Sequence, residues 1–179
     1  MSAIEHATST DIRLILDKQR AAFLASEPYS AEQRCELIDR AITLLVNHEQ
    51  DIIDALSADF GHRSPSFSKG SEVLSPLATL TQTKAELARW MQPEARQAKA
   101  GQAWVQYQPL GVVGIVTAWN VPGYMVFSGL AGALAAGNRV MIKPSEFTPR
   151  TSALIARLIR SAYAEEEVAV VVGGPEVGQ

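Results

Sequence analysis

Asn120, Lys143, Glu146 and the glycines Gly174 and Gly178 are the residues whose types and spacing could do chemistry. Each follows a short apolar run that reads as a buried strand, and the ends of parallel strands are where ligands bind. Asn120 comes after "GVVGIVTAW" and before Val121 and Pro122. A side-chain amide there can donate to a developing oxyanion, or it can form an Asx turn ahead of the proline; the residues alone leave both open. Lys143 precedes Pro144, which holds it extended and fixes where it emerges. Its cationic stem can reach ribose hydroxyls or phosphate, or simply sit in solvent. Glu146, in "KPSEFTP", can accept from a ribose diol or serve as a helix-start carboxylate favoured by the dipole. Ser145 can cap locally or face the same ligand. In "VVVGGPEVGQ", Gly173, Gly174 and Gly178 allow backbone to approach a pyrophosphate at a helix N-terminus, although the spacing is not G-x-G-x-x-G.

Other reactive residue types carry less. Cys35 is the only thiol and lies mid-helix in "AEQRCELIDR" with no supporting histidine, so it reads as structural. His6, His48 and His62 are the only histidines and form no metal-ligand pattern; no metal is expected. "DFG" at residues 59–61 lacks the preceding H-R-D of a kinase catalytic loop.

The elements that must position these residues fall into three segments. Residues 1–93 read as helical. "IRLILDKQRAAFLA" carries Leu14, Ile15, Lys18 and Ala22 at helical spacing. Ser30 predicts an N-cap, with Gln33 completing a capping box, for one long helix through "AEQRCELIDRAITLLVNHEQDIIDALSADF" that Gly61 ends. "HRSPSFSKG" reads as a loop, and residues 72–91 as a further helix with Pro76 near its first turn. Residues 94–108 form a connector and a strand, "AWVQYQ", with the alternation of a half-buried edge strand. Residues 109–179 alternate strand and helix: the buried strand "GVVGIVTAW", a helix closed by Gly137, the strand "NRVMIKP", a helix with Thr148 as N-cap and Pro149 at its first position, the strand "EVAVVVGG", and the opening of another helix in "PEVGQ". This order predicts an α/β fold in which N-terminal helices precede part of a Rossmann-like parallel sheet with right-handed crossovers. Three strands leave the last with an unpaired edge, so the chain reads as a fragment, incomplete at its C-terminal end.

Composition sets outer limits. The chain has 179 residues, 47% hydrophobic and 20% charged, with a net charge of −3. These are ordinary globular values and offer no basic surface for nucleic acid. One cysteine fits a reducing compartment, and the start "MSAIEHATSTDIR" shows no basic region followed by an apolar core, so a cytoplasmic location is expected. Residues 100–138 carry no charge, but Gln, Asn and Pro interrupt them and residues 124–137 are too few to span a bilayer. Their many small side chains predict a helix packed closely on a sheet, not a membrane span.

The run "PLGVVGIVTAWNVPGYMVFSGLAGALAAGNRVMIKPSEFTPRTSALIARLI" resembles the aldehyde dehydrogenase superfamily. It combines P-x-G-V-V-G, W-N-x-P, A-L-A-A-G-N and K-P-S-E-x-T-P in order. The resemblance covers essentially the whole chain and is strongest over residues 109–178. "SADFGHRS" and "ARWMQP" are similar to the branch containing coniferyl aldehyde dehydrogenase, near the fatty-aldehyde enzymes. The resemblance implies oxidation of an aldehyde, coniferyl or another aromatic one, to the carboxylic acid. It implies NAD as cofactor, with NADP the alternative, and a homodimer or homotetramer at full length. Asn120 matches the family's oxyanion-holding asparagine. Thr117, Ala118 and Trp119 match the strand end beside the nicotinamide, Lys143 and Glu146 the contacts to the adenine-side ribose, and Gly174 and Gly178 the Gly-x-x-x-Gly turn near the pyrophosphate. Ala118 and Val121 depart from the usual Pro-Trp-Asn-Tyr-Pro. No residue matches the family's cysteine nucleophile or glutamate base, so the 179 residues alone are expected to be inactive; a non-catalytic cofactor-binding or structural module is the alternative.

Overall fold

The computed structural model describes residues 7–178, which leaves Gln179 of "PEVGQ" outside it. The architecture is mixed α/β, N-terminal helices followed by a parallel sheet. Helix α1 (Ser9–Ala25) begins at a capping box of Thr8 and Asp11, earlier than its apolar spacing predicts. Its inward face also differs. Leu14 and Lys18 are exposed, and the buried residue is Gln19, whose Nε2 donates to the carbonyls of Val140 at 2.9 Å and Glu165 at 3.0 Å. A polar anchor therefore ties α1 to the sheet where an apolar stripe is expected.

The long helix after Ser30 has the expected Ser30–Gln33 capping box and ends at Gly61, φ +75°. It is nonetheless two helices, α2 (Ala31–Asn47) and α3 (Glu49–Phe60). His48 between them leaves helical dihedrals, and its Nδ1 pairs with Asp51 Oδ2 at 2.8 Å in the first turn of α3. The expected loop "HRSPSFSKG" is instead a single turn, α4 (Pro65–Ser68), running into a widened π-helical stretch, Lys69–Leu74. Helix α5 (Ser75–Trp90) follows, with Pro76 in its first turn as required.

The connector contributes a strand of its own. β1 (Glu94–Arg96) pairs antiparallel with β2 (Ala103–Val105). β2 is shorter than expected, and Trp104, Val105 and Tyr107 are all exposed, so the half-buried alternation is absent.

The parallel sheet has strand order β3–β4–β5: β3 (Val112–Val116), β4 (Arg139–Lys143) and β5 (Val168–Val170). The crossovers are α6 (Pro122–Ala135) and α7 (Pro149–Ala162), and a short 3₁₀ turn, Pro175–Gly178, takes the place of the expected helix opening. The register pairs Val116 with Lys143 and Ile142 with Val170, so the carboxyl ends of all three strands lie level. Asn138 Oδ1 accepts the Leu110 and Gly111 N–H at 2.7 and 3.1 Å, fastening the entry of β3 to that of β4.

One core joins α2, α3, α5, α6, α7 and the sheet, centred on Ile38, Leu45, Leu56, Leu80, Phe127, Leu130, Ile142 and Ile159. The small residues of α6 do what their size predicts. A Cβ at Gly129 would stand 3.2 Å from Ile115 Cδ1, so helix and sheet touch at a distance only glycine allows without a shift. The expectation of a buried first strand fails in part: Val116 is 66% exposed, and with Gly114 it marks a face of β3 left open. As expected, β5 is left with an unpaired edge, since β4 is its one neighbour among the described strands, although its residues are buried. Among the described residues no helix is long and apolar enough to cross a membrane.

Candidate functional site at the strand ends

Beyond Val116, the Thr117 N–H donates to Lys143 O at 3.1 Å, which sets the two chain segments side by side as they leave the sheet. Thr117 is buried and its hydroxyl has no partner among the described residues. A buried unpaired hydroxyl is unfavourable unless something else completes it. Ala118, Trp119 and Asn120 then rise into solvent, before Pro122 starts α6.

The geometry of Asn120 bears on its two readings. The cap position of α6 is Val121, and no side chain of the bend caps the helix. Among the described residues the Asn120 carboxamide makes no hydrogen bond, so the Asx turn is not formed. Capping comes from a distance instead. Glu72, on the π-helical stretch, accepts the Tyr124 N–H through Oε2 at 3.0 Å, with the Gly123 N–H directed to it as well. A carboxylate at a helix N-terminus suits the dipole. The Asn120 amide stands exposed just beyond the carboxyl end of β3.

Lys143 and Glu146 meet each other. The Lys143 stem is buried, and its ammonium pairs with the Glu146 carboxylate. That hydrogen bond holds the Glu146 carboxyl below its ordinary pKa. Ser145 is buried and local in its bonding: its Oγ accepts the Phe147 N–H at 3.3 Å and its carbonyl accepts the Ser152 hydroxyl at 2.8 Å. The glycine turn closes on the same place. The position of a Cβ on Gly178 lies 3.9 Å from Lys143 Cδ and Cε, whereas one on Gly173 would meet Val177 at 2.3 Å and one on Gly174 would meet the Glu176 carboxylate at 2.5 Å. A side chain at either of the last two would force its neighbour to move. The structure thus brings Thr117, Lys143, Glu146 and Gly178 together, with Trp119 and Asn120 on the adjoining bend.

The residues that hold this site were not legible in the sequence. Arg63 Nη1 donates to Asn120 O at 3.0 Å, and Phe60 packs on Trp119 with ring centroids 6.2 Å apart. Asp59, within the uninformative "DFG", caps α7: its carboxylate accepts the Arg150 and Thr151 N–H at 3.0 and 2.8 Å and the Thr151 hydroxyl at 2.8 Å. Thr148, the expected cap, holds the position but makes no side-chain cap bond. No local signal links residues 59, 63 or 72 to partners so distant in sequence.

Two features lie away from the site. Cys35 is half-buried on α2 against the core. A groove of about 680 Å³, lined by Arg34, Leu87, Trp90, Met91, Tyr107 and Ala135, opens at the far end of α6 from Asn120. Among the described residues no group of three metal-ligating side chains exists.

Known proteins are similar to this chain over nearly all of its length. The model of the "Aldehyde dehydrogenase family" matches residues 1–179. A "Probable coniferyl aldehyde dehydrogenase" of Caulobacter vibrioides is 46% identical over 172 residues, covering 92% of this chain and 36% of that protein. A "Coniferyl aldehyde dehydrogenase" of Pseudomonas sp. is 44% identical over 165 residues, covering 91% of this chain and 34% of that protein. The chain therefore spans about a third of the length of these relatives. Among solved structures, a Mycobacterium tuberculosis aldehyde dehydrogenase complexed with NAD+ superposes with a TM-score of 0.85 at 27% identity, covering 98% of this chain and 37% of that one.

Proposed function

The chain belongs to the aldehyde dehydrogenase family, and we propose that it forms the N-terminal, cofactor-side part of an NAD(P)-dependent enzyme that oxidises an aldehyde to the carboxylic acid. The observation that carries this reading is the Asn120 amide beyond the end of β3, unbonded among the described residues while Glu72 accepts the Tyr124 N–H at the start of α6. On this reading, residues 1–93 are the helical support, 94–108 the hairpin, and 109–179 the first half of the cofactor domain.

The residues present fit a dinucleotide. The Thr117 hydroxyl, buried and unpartnered among the described residues, lies where strand ends meet a ligand, and a side chain at Gly173 would collide with Val177. Lys143 and Glu146 would hold the ribose, Gly174 and Gly178 would let the backbone approach the pyrophosphate, and Thr117, Ala118 and Trp119 would line the nicotinamide side. NAD(P), when bound, accepts the hydride of the aldehyde. Asn120 has a different task. Its carboxamide NH₂ donates to the substrate oxygen as that oxygen gains charge, a contact stronger in the transition state than in the ground state. The cysteine nucleophile and the glutamate base match no residue of this chain, and Cys35 faces the core.

The names of the two bacterial relatives support an aromatic aldehyde, coniferyl aldehyde first, as substrate. The NAD+ complex of the Mycobacterium tuberculosis relative supports NAD, with NADP the alternative. By analogy with the family the assembled protein is a cytoplasmic homodimer or homotetramer. The missing nucleophile favours the alternative reading, a non-catalytic module, if the native polypeptide consists of these residues only. Measuring the mass of the native protein, and assaying it with coniferyl aldehyde and NAD, tests the two together. Aldehyde-dependent reduced cofactor from a polypeptide longer than 179 residues, with none from residues 1–179 alone, is the expected result. A native protein of 179 residues without turnover refutes the enzyme reading, and turnover by the 179 residues that Cys35→Ala abolishes refutes the assignment of chemistry.

A further inference from the structure

The bend that carries Asn120 is held from outside. No side chain within residues 119–121 restrains it: among the described residues the Asn120 side chain is unbonded, Val121 offers no side-chain cap, and Pro122 has no N–H to give. Apart from the Val121 carbonyl, which accepts the Met125 N–H at 3.1 Å as α6 begins, its anchors among the described residues come from residues 60–72. Arg63 Nη1 takes the Asn120 carbonyl at 3.0 Å. Glu72 Oε2 takes the Tyr124 N–H at 3.0 Å. Arg63 Nη2 and Glu72 Oε1 lie 2.9 Å apart, which couples the anchors on the two sides of the bend. That contact is a charge pair more than an aligned hydrogen bond, since Glu72 Oε1 has no hydrogen-bond partner. The Arg63 guanidinium lies over the rings of Phe60 at 4.5 Å and Phe67 at 5.0 Å, and Phe60 in turn packs on Trp119.

The burial of this pair argues for positioning over bulk stability. Glu72 is 0% exposed and Arg63 9%. Burying an ion pair costs desolvation that its attraction offsets only in part, and apolar residues of similar volume fill such a space at least as well. What apolar residues cannot do is bond directionally to a carbonyl on one side of a bend and to amide groups on the other. Gly123 matches this arrangement: a Cβ there would stand 3.1 Å from Glu72 Oε2 and 3.4 Å from its carbonyl, so the helix start comes as near as a bare backbone permits. The widened π-helical turn carries Glu72 itself, and such turns recur at functional sites.

We propose that Arg63 and Glu72 are positioning residues whose buried pair fixes the bend at residues 119–121 and so aims the Asn120 carboxamide at the substrate oxygen. The proposal rests on the oxyanion role of Asn120. An oxyanion donor acts only when preorganised at hydrogen-bonding distance, and a displacement of 1 Å costs about 10²-fold in rate.

The test is a double-mutant cycle in the full-length protein, read by single-turnover hydride transfer, with the Kd for NAD and the melting temperature measured alongside. Arg63→Lys keeps the charge but not the fork that reaches both partners. Glu72→Gln keeps shape and an acceptor but removes the charge. Each should slow hydride transfer about 10-fold, a partial loss of aim, while the Kd for NAD stays within about twofold. In an Asn120→Ala background neither should slow it further, because no donor remains to be aimed. Equal slowing in both backgrounds would mean a structural effect and overturn the proposal, as would wild-type rates in both single variants. If either variant folds poorly, the other completes the cycle, since one preserves the buried cation and the other the buried acceptor. Wild-type hydride transfer in Asn120→Ala alone would refute the oxyanion reading itself, a separate outcome seen before any Arg63 or Glu72 variant is compared.

Discussion

Glu146→Gln should erode discrimination between NAD and NADP by about tenfold. The Lys143 stem is buried, 8% exposed, and its ammonium pairs with Glu146, 28% exposed. The Lys143 hydrogen bond lowers the Glu146 pKa below 4.5, so at neutral pH the two form a contact pair of opposite charges. A ribose diol can donate to that carboxylate, whereas a 2′-phosphate meets a like charge. Two unit charges 4 Å apart near a protein surface interact by about 4 kcal/mol. Solvent screening at a partly exposed carboxylate and the opposing Lys143 charge remove most of this, leaving about 1.4 kcal/mol, or tenfold. The glutamine variant loses the repulsion and frees the lysine, so kcat/KM for NADP should rise relative to that for NAD. The assay is initial-rate formation of NADH and NADPH with one aldehyde at two ionic strengths, and higher salt should narrow the wild-type preference. Because Glu146 stays ionised from pH 6 to 9, the preference should be flat over that range. A ratio of kcat/KM values unchanged by Glu146→Gln would mean that the carboxylate does not select between the cofactors. Equal loss with both cofactors would make Glu146 merely the partner of Lys143.

Asp59→Ala should destabilise the protein by about 1–2 kcal/mol, the usual loss on removing a helix cap, because α7 has no other side-chain cap; thermal unfolding would register it, with kcat at 25 °C unchanged. Glu72 gives a pH signature of the opposite sign to Glu146: burial pushes its carboxyl up from 4.5, against Arg63 and the Tyr124 N–H that pull it down. A carboxyl with a raised folded-state pKa contributes stability that is full below about 4.5 and lost as pH rises through the folded value. Glu72→Gln should therefore flatten that part of the stability curve, measured by denaturant unfolding between pH 4 and pH 8.

What could be read from the sequence was local. Ser30 with Gln33, Gly61, Gly137 and Pro149 terminate or open helices through bonds and dihedrals within a few residues, and all stand where their types predict. The alternation from β3 to β5 was legible because strand and helix periods differ. The break at His48 was not, since it depends on one dihedral inside a continuous helical pattern. β1 has no strand composition and exists only by pairing with β2. At the site, Asn120, Lys143 and Glu146 could be singled out by type and placement. Their mutual arrangement could not, because Arg63 bonds 57 residues away and Glu72 52 residues away, and no periodicity encodes a contact of that range. The same gap let Thr148 pass for the cap that Asp59 supplies.

We propose that the amide of Asn120 does chemistry and does not merely shape a turn. Single-turnover hydride transfer in the full-length protein, with NAD binding measured in parallel, tests it most directly. Asn120→Ala should slow hydride transfer by about 10²–10³, the loss typical of one oxyanion donor. Asn120→Asp, which sets a carboxylate against the developing charge, should be at least as slow. The Kd for NAD should hold within about twofold in both. Hydride transfer at the wild-type rate in Asn120→Ala, with only the melting temperature lowered, would mean that Asn120 only shapes the turn.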